Sequence, residues 1–357
     1  MTSFNHVGMP GRVIHGAGRV SELADEVAAL GGTRVMFCCT KSRVAEVDKM
    51  AATLGDRFVG ICDSAKIFVP LTAVECGREM AQELQADCLV SYGGGTAVGL
   101  AKAIALEQGQ PVLCIVTTYS GSETTALQGI IGRDGVRTNY RSLRMLPRTL
   151  IYDPELTLDV PLDVSIASGF NSISHAVSSY LGEDANPVAN MFSENGIRIM
   201  SAALVKLAQD PQDITARSAA MQGAWLCGTT LMSSGTTIHH KIAHTLGGGF
   251  DLPHGPTHAV VLPHSTNYNR NAAPDAMAGI ARALDVDPRD APRALFELLG
   301  KSGAAEGLKD LGLPESDLDE AADRIMIDRY FNLRDYDRHA IRELLQDAWE
   351  GRPPSGI

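Results

Sequence analysis

The first part of the chain alternates between short apolar runs and longer amphipathic stretches. Four stretches carry apolar residues at helical spacing and predict helices at 19–30, 44–54, 71–84 and 98–106. Four short apolar runs predict buried strands at 34–39, 58–62, 88–92 and 112–116. Strands that alternate with helices predict a parallel sheet whose two faces are both covered by helices.

The pattern changes near Ser165, after which the helical period dominates. Helices are predicted at 171–181, 187–207, 214–233, 238–246, 274–284, 291–299 and 340–349. Pro253, Pro256 and Pro263 predict a loop between two of these helices, because proline interrupts a helix interior. We therefore expect an α/β domain over residues 1–154 and an all-α domain over residues 155–357.

Composition narrows the class of protein. The 357 residues are 45% hydrophobic and 20% charged, as in globular proteins, and the length suggests two domains. The net charge of -11 argues against nucleic acid and anionic membrane as partners. The sequence has no apolar run that could span a bilayer, no recognisable secretion signal, and seven cysteines without a CxxC pair. We therefore expect free thiols and a cytoplasmic protein.

A glycine turn, Gly93-Gly94-Gly95-Thr96, lies between a predicted strand and a predicted helix. Glycines let the backbone approach a phosphate closely, and the N-terminus of the helix offers free N–H groups with partial positive charge. A tight turn that needs positive φ would have the same composition. The turn also departs from the G-x-G-x-x-G fingerprint of an ordinary dinucleotide-binding domain.

A polar turn, Thr117 to Glu123, also follows a predicted strand and contains Thr118, Tyr119, Ser120 and Ser122. Two polar turns at strand ends favour a phosphate site in a Rossmann-like domain over a simple cap for the next helix. Lys102 lies further along the helix that follows the glycine turn. It is either a solvated helix lysine or a cation of the pocket.

Thr40, which precedes Lys41 after a predicted strand, bears on the choice of nucleotide. Many nucleotide-binding domains place an acidic residue there to contact the adenosine ribose. The neutral Thr40 would not repel a 2′-phosphate, although an ordinary strand-end loop would look the same. We therefore expect NADH as cofactor, with NADPH tolerated.

Histidines are concentrated in one segment, where six of the ten fall within 26 residues: His239, His240, His244, His254, His258 and His264. His240 and His244 share a helix face, as do Asn171 and His175 further upstream, because each pair is four residues apart. Two helices could thus present one ligand set to a metal ion. The alternatives are that the imidazoles act directly as proton donors or cations, or that they are hydrogen-bonded core residues.

The chain resembles the iron-containing alcohol dehydrogenase family over nearly its whole length. The matching segments are GGGTAVGLAK (93–102), TTYSGSE (117–123), YDPELT (152–157) and HHKIAHTLGGGFDLPHG (239–255). The resemblance implies a dehydroquinate synthase-like fold, with an N-terminal dinucleotide-binding domain and a helical C-terminal domain that carries the active site. It also implies a metal held at four positions, which here are Asn171, His175, His240 and His254, with His244 as a further active-site histidine.

Two departures from the family pattern weaken the case for a metal. Asn171 replaces the Asp of the ligand set, and Gly99 replaces the Asp of the motif GGGSxxDxAK. Both departures are similar to one branch of the family, the maleylacetate reductases, which work without a bound metal. That branch is also similar in NPVANMFSENGIRIM (186–200), GAWLCGT (223–229), THAVVLPH (257–264) and AIRELLQDAWEGRPP (340–354).

Membership of this branch implies a homodimer that reduces the C=C bond of maleylacetate, or of a substituted analogue, to a 3-oxoadipate during aromatic-compound degradation. The alternative within the family is an alcohol dehydrogenase that keeps iron or zinc on His175, His240 and His254. A non-catalytic binding protein on the same scaffold is a third possibility. Some residues differ from those usual in the branch, which leads to the further hypothesis of a substrate other than the usual one: Ser120, Thr124, Leu127, Gln128 and the pair Gly255-Pro256.

Under the reductase hypothesis, His244 and His254 donate hydrogen bonds to an enolate, while His175, His240 and Asn171 shape the pocket. The substrate is a small dicarboxylate, and its predicted partners are Tyr119, Ser120, Lys102 and Arg334. Arg137 is a further basic candidate, for the cofactor or for a carboxylate. A solvated surface cation is an equally good interpretation of Arg334.

Overall fold

The computed structural model describes residues 11–354, apart from the side chains of Ser233 and Ser234. Two compact units divide the chain, one ending at Val160 and the other beginning at Pro161. This division lies slightly further along the chain than the boundary between residues 154 and 155 that the sequence predicts.

The first unit contains a six-stranded sheet in the order β1-β8-β5-β4-β2-β3. Its strands are β1 (Arg12–His15), β2 (Val35–Cys38), β3 (Phe58–Cys62), β4 (Cys88–Gly93), β5 (Val112–Val116) and β8 (Thr149–Tyr152). Every neighbouring pair is parallel. The sheet is interleaved with helices α1 (Leu23–Ala29), α2 (Val44–Ala51), α3 (Leu71–Glu83) and α4 (Gly95–Gln108). The predicted α/β architecture with a parallel sheet is confirmed.

The sheet reverses its direction of growth between β2 and β4. The chain passes from β2 outward to β3 and then returns to place β4 on the other side of β2. Ligands of open α/β sheets bind outside the carboxyl ends of the strands at such a switch point. Residues that follow β2, β4 and the adjacent β5 are therefore the expected ligand-binding residues of this unit.

Helix α4, which begins directly after β4, is unusual because it is buried on all sides. Residues 97–105 are all buried, including Lys102. Gly99 allows close packing here, since a Cβ on it would lie 2.7 Å from Cγ2 of Val69 and 3.0 Å from Oε1 of Gln128. Gln128 lies on a hairpin of β6 (Leu127–Ile131) and β7 (Arg137–Arg141), which sequence periodicity did not predict.

The second unit is helical, as predicted. Its helices are α5 (Leu162–Leu181), α6 (Pro187–Gln209), α7 (Ile214–Ser234), α8 (Ile238–Gly249), α9 (His254–Asn269), α10 (Pro274–Leu284), α11 (Ala291–Ser302), α12 (Leu318–Ile325) and α13 (Arg338–Glu350). Helices α8, α9, α12 and α13 share one apolar core. Over residues 11–354, no helix has both the length and the apolar character needed to cross a membrane.

The predicted loop at Pro253, Pro256 and Pro263 is wrong, because Pro256 and Pro263 lie inside α9. Pro256 falls in the first helical turn, where a missing N–H costs little. Pro263 lies in the interior, where proline costs about 3 kcal/mol. Every residue from 257 to 266 is buried, and this tertiary burial outweighs the local preference.

Candidate active site

The glycine turn and the polar turn lie side by side because β4 and β5 are neighbours. The N–H of Thr117 donates to the carbonyl of Gly93 across the two strand ends, at 3.1 Å. Gly93 has a φ of 137°, which favours glycine. A Cβ on Gly94 would lie 2.7 Å from both Oγ1 and Cγ2 of Thr118, so the backbone at this position has no room for a side chain.

The N-terminus of α4 opens directly onto the polar turn. The helix begins at Gly95, and the first-turn N–H groups of Gly95 and Thr96 point out of its end. A Cβ on Gly95 would be 3.3 Å from Oγ of Ser120 and from Oγ of Ser122. The Ser122 hydroxyl is buried without a hydrogen-bond partner. Bare backbone, serine hydroxyls and a helix N-terminus together fit the phosphates of a dinucleotide.

The remaining nucleotide and substrate candidates of this unit differ in exposure. Thr40 follows β2 at the switch point, half-buried, with its Oγ1 3.1 Å from Oγ of Ser42. Tyr119 is buried, and its hydroxyl donates to Oγ1 of Thr157 at 3.3 Å. Arg137 is exposed on β7 and donates to Oδ1 of Asn139 at 3.2 Å. Thr40 thus lies near the predicted phosphate site in the fold, whereas Arg137 lies on a solvated strand.

Lys102 is fully buried rather than solvated. Its Nζ donates to the carbonyl of Ser122 at 2.9 Å and to Oγ1 of Thr125 at 3.0 Å. Burial lowers its pKa to about 8, because the charged form is desolvated. The lysine therefore binds the polar turn and its flank.

In the second unit, three helices bring six imidazoles together: His175 from α5, His239, His240 and His244 from α8, and His254 and His258 from α9. We call these six residues the histidine cluster. Neighbouring ring centroids lie between 4.5 and 6.1 Å apart. Asn171 lies one helical turn before His175 and is buried, 6% exposed. His264 and Arg334 do not join the cluster, since His264 contacts Phe296 and Arg334 stacks on Tyr268.

Access to solvent separates the cluster into two parts. His175, His239, His240 and His258 are buried, whereas His244 and His254 are partly exposed. The rings of His244 and His254 are nearly parallel, 11° apart, with centroids 6.1 Å apart, and Tyr330 lies 6.4 Å from His244. A ligand that reaches the cluster therefore meets His244 and His254 first.

A chain of hydrogen bonds fixes the protonation of His239. The hydroxyl of Ser265 donates to the carbonyl of Leu262 at 3.1 Å, so at His239 its oxygen can only accept. Nδ1 of His239, 3.0 Å from Ser265, therefore carries the proton. Burial lowers the pKa of His239 to about 3, so the ring is neutral and its Nε2 is a bare acceptor.

The same chain then fixes His258. Its Nδ1 lies 2.9 Å from Nε2 of His239 and must donate to it. Ser174, 3.3 Å from the same Nδ1, has already donated its proton to the carbonyl of Asn171 at 2.7 Å, which supports this assignment. Burial holds the pKa of His258 well below its usual range, so the ring is neutral. Its Nε2 is therefore unprotonated and presents a lone pair inside the cluster. The sequence marked His239 and His258 by spacing alone and gave them no role.

Buried nitrogens without partners are a further property of the cluster. Nε2 of His240, Nε2 of His258 and Nδ1 of His175 are buried and make no hydrogen bond to protein groups. Nδ1 of His240 is held by Oγ of Ser178 at 3.0 Å. Buried polar atoms are almost always paired, so a group of unpaired ones indicates a functional site rather than an ordinary core.

The residues at the four family metal positions differ from the ligand set of the family. Asn171 offers a neutral amide where the family has a carboxylate, and the imidazoles carry no compensating negative charge. Among residues 11–354, no group of three or more His, Cys, Asp or Glu side chains is arranged to hold a metal ion.

Buried neutral histidines predict a loss of stability in acid. Burial lowers the pKa of His175 and His239 to about 3 and of His264 to about 4, against 6.5 in the unfolded chain. Below pH 6.5 these histidines therefore become protonated in the unfolded chain while they stay neutral in the folded chain. We expect each histidine to cost about 2 kcal/mol of unfolding free energy between pH 7.5 and pH 5.

Urea denaturation at pH 7.5 and pH 5 measures this loss. His264→Gln should make the drop smaller by about 2 kcal/mol, because it removes one of the titrating groups. The matched control is His339→Gln, since His339 is exposed on α13. An equal drop in all three proteins would contradict the assignment of His264 as a neutral buried residue.

The comparisons with known proteins agree with this architecture. The profile of the iron-containing alcohol dehydrogenase matches residues 10–154, and the C-terminal profile of the Fe-containing alcohol dehydrogenase family matches residues 165–349. The chain is 46% identical to a maleylacetate reductase of Burkholderia cepacia, over 96% of this chain and 97% of that protein. It is 41% identical to a maleylacetate reductase of Sphingobium indicum, over 97% of each. The crystal structure of maleylacetate reductase from Agrobacterium tumefaciens matches with a TM-score of 0.95 at 39% identity, covering 99% of this chain and 100% of the other.

Proposed function

The chain belongs to the iron-containing alcohol dehydrogenase family and is an oxidoreductase, and from this premise we propose that it reduces the C=C bond of maleylacetate to 3-oxoadipate with NAD(P)H. The observation that carries the proposal is the partly exposed pair His244 and His254, which lies beside four buried histidines whose pKa values are lowered by burial. Near-full-length similarity to maleylacetate reductases supports the substrate.

The substrate is a dicarboxylate in which the C=C bond is conjugated to a ketone. The nicotinamide, when bound, supplies a hydride to the alkene carbon. Negative charge then develops on the ketone oxygen as an enolate, which positioned N–H donors stabilise most strongly where water is excluded. A proton must finally reach the neighbouring carbon, and an imidazole can hold and deliver it.

His244 and His254 are the residues that we assign to these tasks. Both reach the accessible edge of the cluster, and each imidazole can present an N–H to the enolate oxygen. His175, His240 and Asn171 form the buried side of the cluster and give it a fixed shape. Tyr119, Ser120, Arg137 and Arg334 stay predicted partners of the substrate or of the cofactor.

We further propose that the reaction needs no bound metal. An enolate is less basic than the alkoxide of an alcohol dehydrogenase, so hydrogen-bond donors suffice to stabilise it. The donor set supports this, because it holds a neutral amide and three imidazoles and no carboxylate to balance the charge of a buried divalent ion.

NADH oxidation with maleylacetate, before and after exhaustive dialysis against a chelator, tests both proposals. We expect activity with maleylacetate, little with aldehydes, and a change of less than about twofold after chelation. Inactivation by the chelator with recovery on adding iron or zinc would favour the metal-dependent alcohol dehydrogenase. NADH binding without oxidation of NADH by any substrate would favour a non-catalytic protein.

The same assay measures the cofactor preference. We propose NADH with NADPH tolerated, because Thr40 at the end of β2 is neutral and Lys41 follows it. The ratio of kcat/KM for NADH to that for NADPH should then stay below about a thousandfold.

We also propose that the protein works in the cytoplasm as a homodimer and does not bind nucleic acid. The described cysteines are all free, which suits a reducing compartment, and the net charge is -11. The dimer rests on family membership. Sedimentation equilibrium measures the oligomeric state directly.

A further inference from the structure

Lys102 lies outside the histidine cluster, and its ammonium group is enclosed within the first unit. None of its side chain is exposed, and its two hydrogen-bond acceptors are Ser122 and Thr125. Oγ1 of Thr125 also donates to the Ser122 carbonyl, at 3.0 Å. An ammonium group bonded inward in this way cannot at the same time contact a substrate carboxylate in solvent.

The geometry of α4 explains how Lys102 reaches the polar turn. Gly95, Gly99 and Lys102 lie on one face of the helix, four and then three residues apart. Long side chains in a helix point back toward its N-terminus, and Nζ of Lys102 accordingly bonds to Ser122 and Thr125. The segment that begins at Ser122 packs on this face, with Gln128 only 3.0 Å from a Cβ position on Gly99.

The Ser122 segment is the part of the polar turn that meets the N-terminus of α4. It starts a short 3-10 turn after Gly121, whose φ is 74°. Its hydroxyl lies 3.3 Å from a Cβ position on Gly95. A bond to the carbonyl of Ser122 therefore sets where this hydroxyl stands relative to the first N–H groups of the helix.

Burying a lysine is costly, and the surroundings offset only part of the cost. Glu123 is buried nearby and its Oε1 accepts from the hydroxyl of Tyr152 at 2.6 Å, while its Oε2 has no partner. Desolvation raises the pKa of Glu123, just as it lowers that of Lys102. A charge kept in such a place indicates a requirement for position rather than for stability.

We propose that Lys102 is a positioning residue for the dinucleotide: it anchors Ser122 and Thr125 so that the serine hydroxyls of the polar turn face the N-terminus of α4, where the phosphates bind. The inference rests on the proposed function only in that the first unit binds a nicotinamide dinucleotide. It replaces the sequence-based hypothesis that Lys102 contacts the substrate.

The test compares cofactor binding with substrate binding in Lys102→Met. We expect the Kd for NADH, measured by fluorescence titration, to rise about tenfold or more, because two charge-assisted hydrogen bonds to the turn are lost. The KM for maleylacetate at saturating NADH should stay within about twofold. Lys49→Met is the matched control, since Lys49 is exposed on α2, and it should change neither quantity.

Thr125 provides a second, milder test if Lys102→Met does not fold. Thr125→Val removes one acceptor of the lysine and should raise the Kd for NADH about threefold to fivefold. Thr125→Ser keeps the hydroxyl and should restore the wild-type Kd. Equal Kd values for Val and Ser would overturn the inference.

Two further outcomes separate this inference from the proposed function. A raised KM for maleylacetate with an unchanged Kd for NADH would show that Lys102 contacts the substrate, and the inference would be wrong. If the wild type binds NADH but does not reduce maleylacetate, the proposed function fails. The inference still stands in that case if Lys102→Met weakens NADH binding.

Discussion

Replacing His254 with Ala is expected to lower kcat for maleylacetate reduction by about 10² to 10⁴, the range for losing an oxyanion donor or a general acid. The reason is its place in the cluster. His254 is one of the two imidazoles that remain partly exposed, and its ring is 4.5 Å from that of His258. Removing it takes away a donor that no buried neighbour can replace from its fixed position.

Stopped-flow and steady-state kinetics at saturating NADH measure this effect, with the Kd for NADH as the companion quantity. His254→Gln keeps a side-chain amide and should retain more activity than His254→Ala. His339→Ala, on the exposed face of α13, is the control and should keep wild-type kcat. A His254→Ala enzyme with kcat within about threefold of wild type would contradict the role assigned to this residue.

Gly94→Ala is expected to weaken NADH binding by about a hundredfold, which corresponds to about 2.7 kcal/mol. The new Cβ would lie 2.7 Å from two atoms of the Thr118 side chain, in the turn that faces the predicted phosphate site. Thr118 must move, and the methyl group also occupies space that the backbone otherwise leaves open to a phosphate. We therefore expect Gly94→Ala to weaken NADH binding more than it lowers the stability of the fold.

A fluorescence titration with NADH measures the affinity, and thermal unfolding confirms that the variant is folded. Gly248→Ala is the matched control, because a Cβ on Gly248 would have no other atom within 4 Å. If Gly94→Ala bound NADH as tightly as Gly248→Ala, the glycine turn would have to be interpreted as a structural turn only.

Long periodic segments were predictable because tertiary packing reinforces their pattern. The strands at 58–62 and 112–116 and the helix at 274–284 occur at the predicted residues. Strands β1 and β8 were not predicted because each is short and has polar residues at its ends, whereas the equally short β2 is apolar throughout. The sequence predicted a loop in place of helix α9, because proline disfavours a helix locally. The burial that stabilises α9 depends on the packing of the whole second unit, which local sequence does not reveal.

Part of the candidate site could also be predicted from regular spacing in the sequence. Spacing of four residues indicates a shared helix face, so His240 with His244 and Asn171 with His175 could be paired from sequence. The tautomer of His258 could not be predicted, because it depends on a serine and a histidine from two helices. The burial of Lys102 could not be predicted from the sequence either, because a lone lysine in an apolar helix usually lies on the solvated side of that helix.

Gly99 has a consequence for how this branch of the family could change over time. The space where the family motif carries an Asp is filled by Val69 and Gln128, and Val69 holds a φ of 48°, rare for a β-branched residue. Restoring the Asp alone would drive a carboxylate into these two side chains. Reversion to Asp therefore needs these two neighbours to shift or to be replaced, which makes loss of the acidic residue harder to reverse by a single mutation.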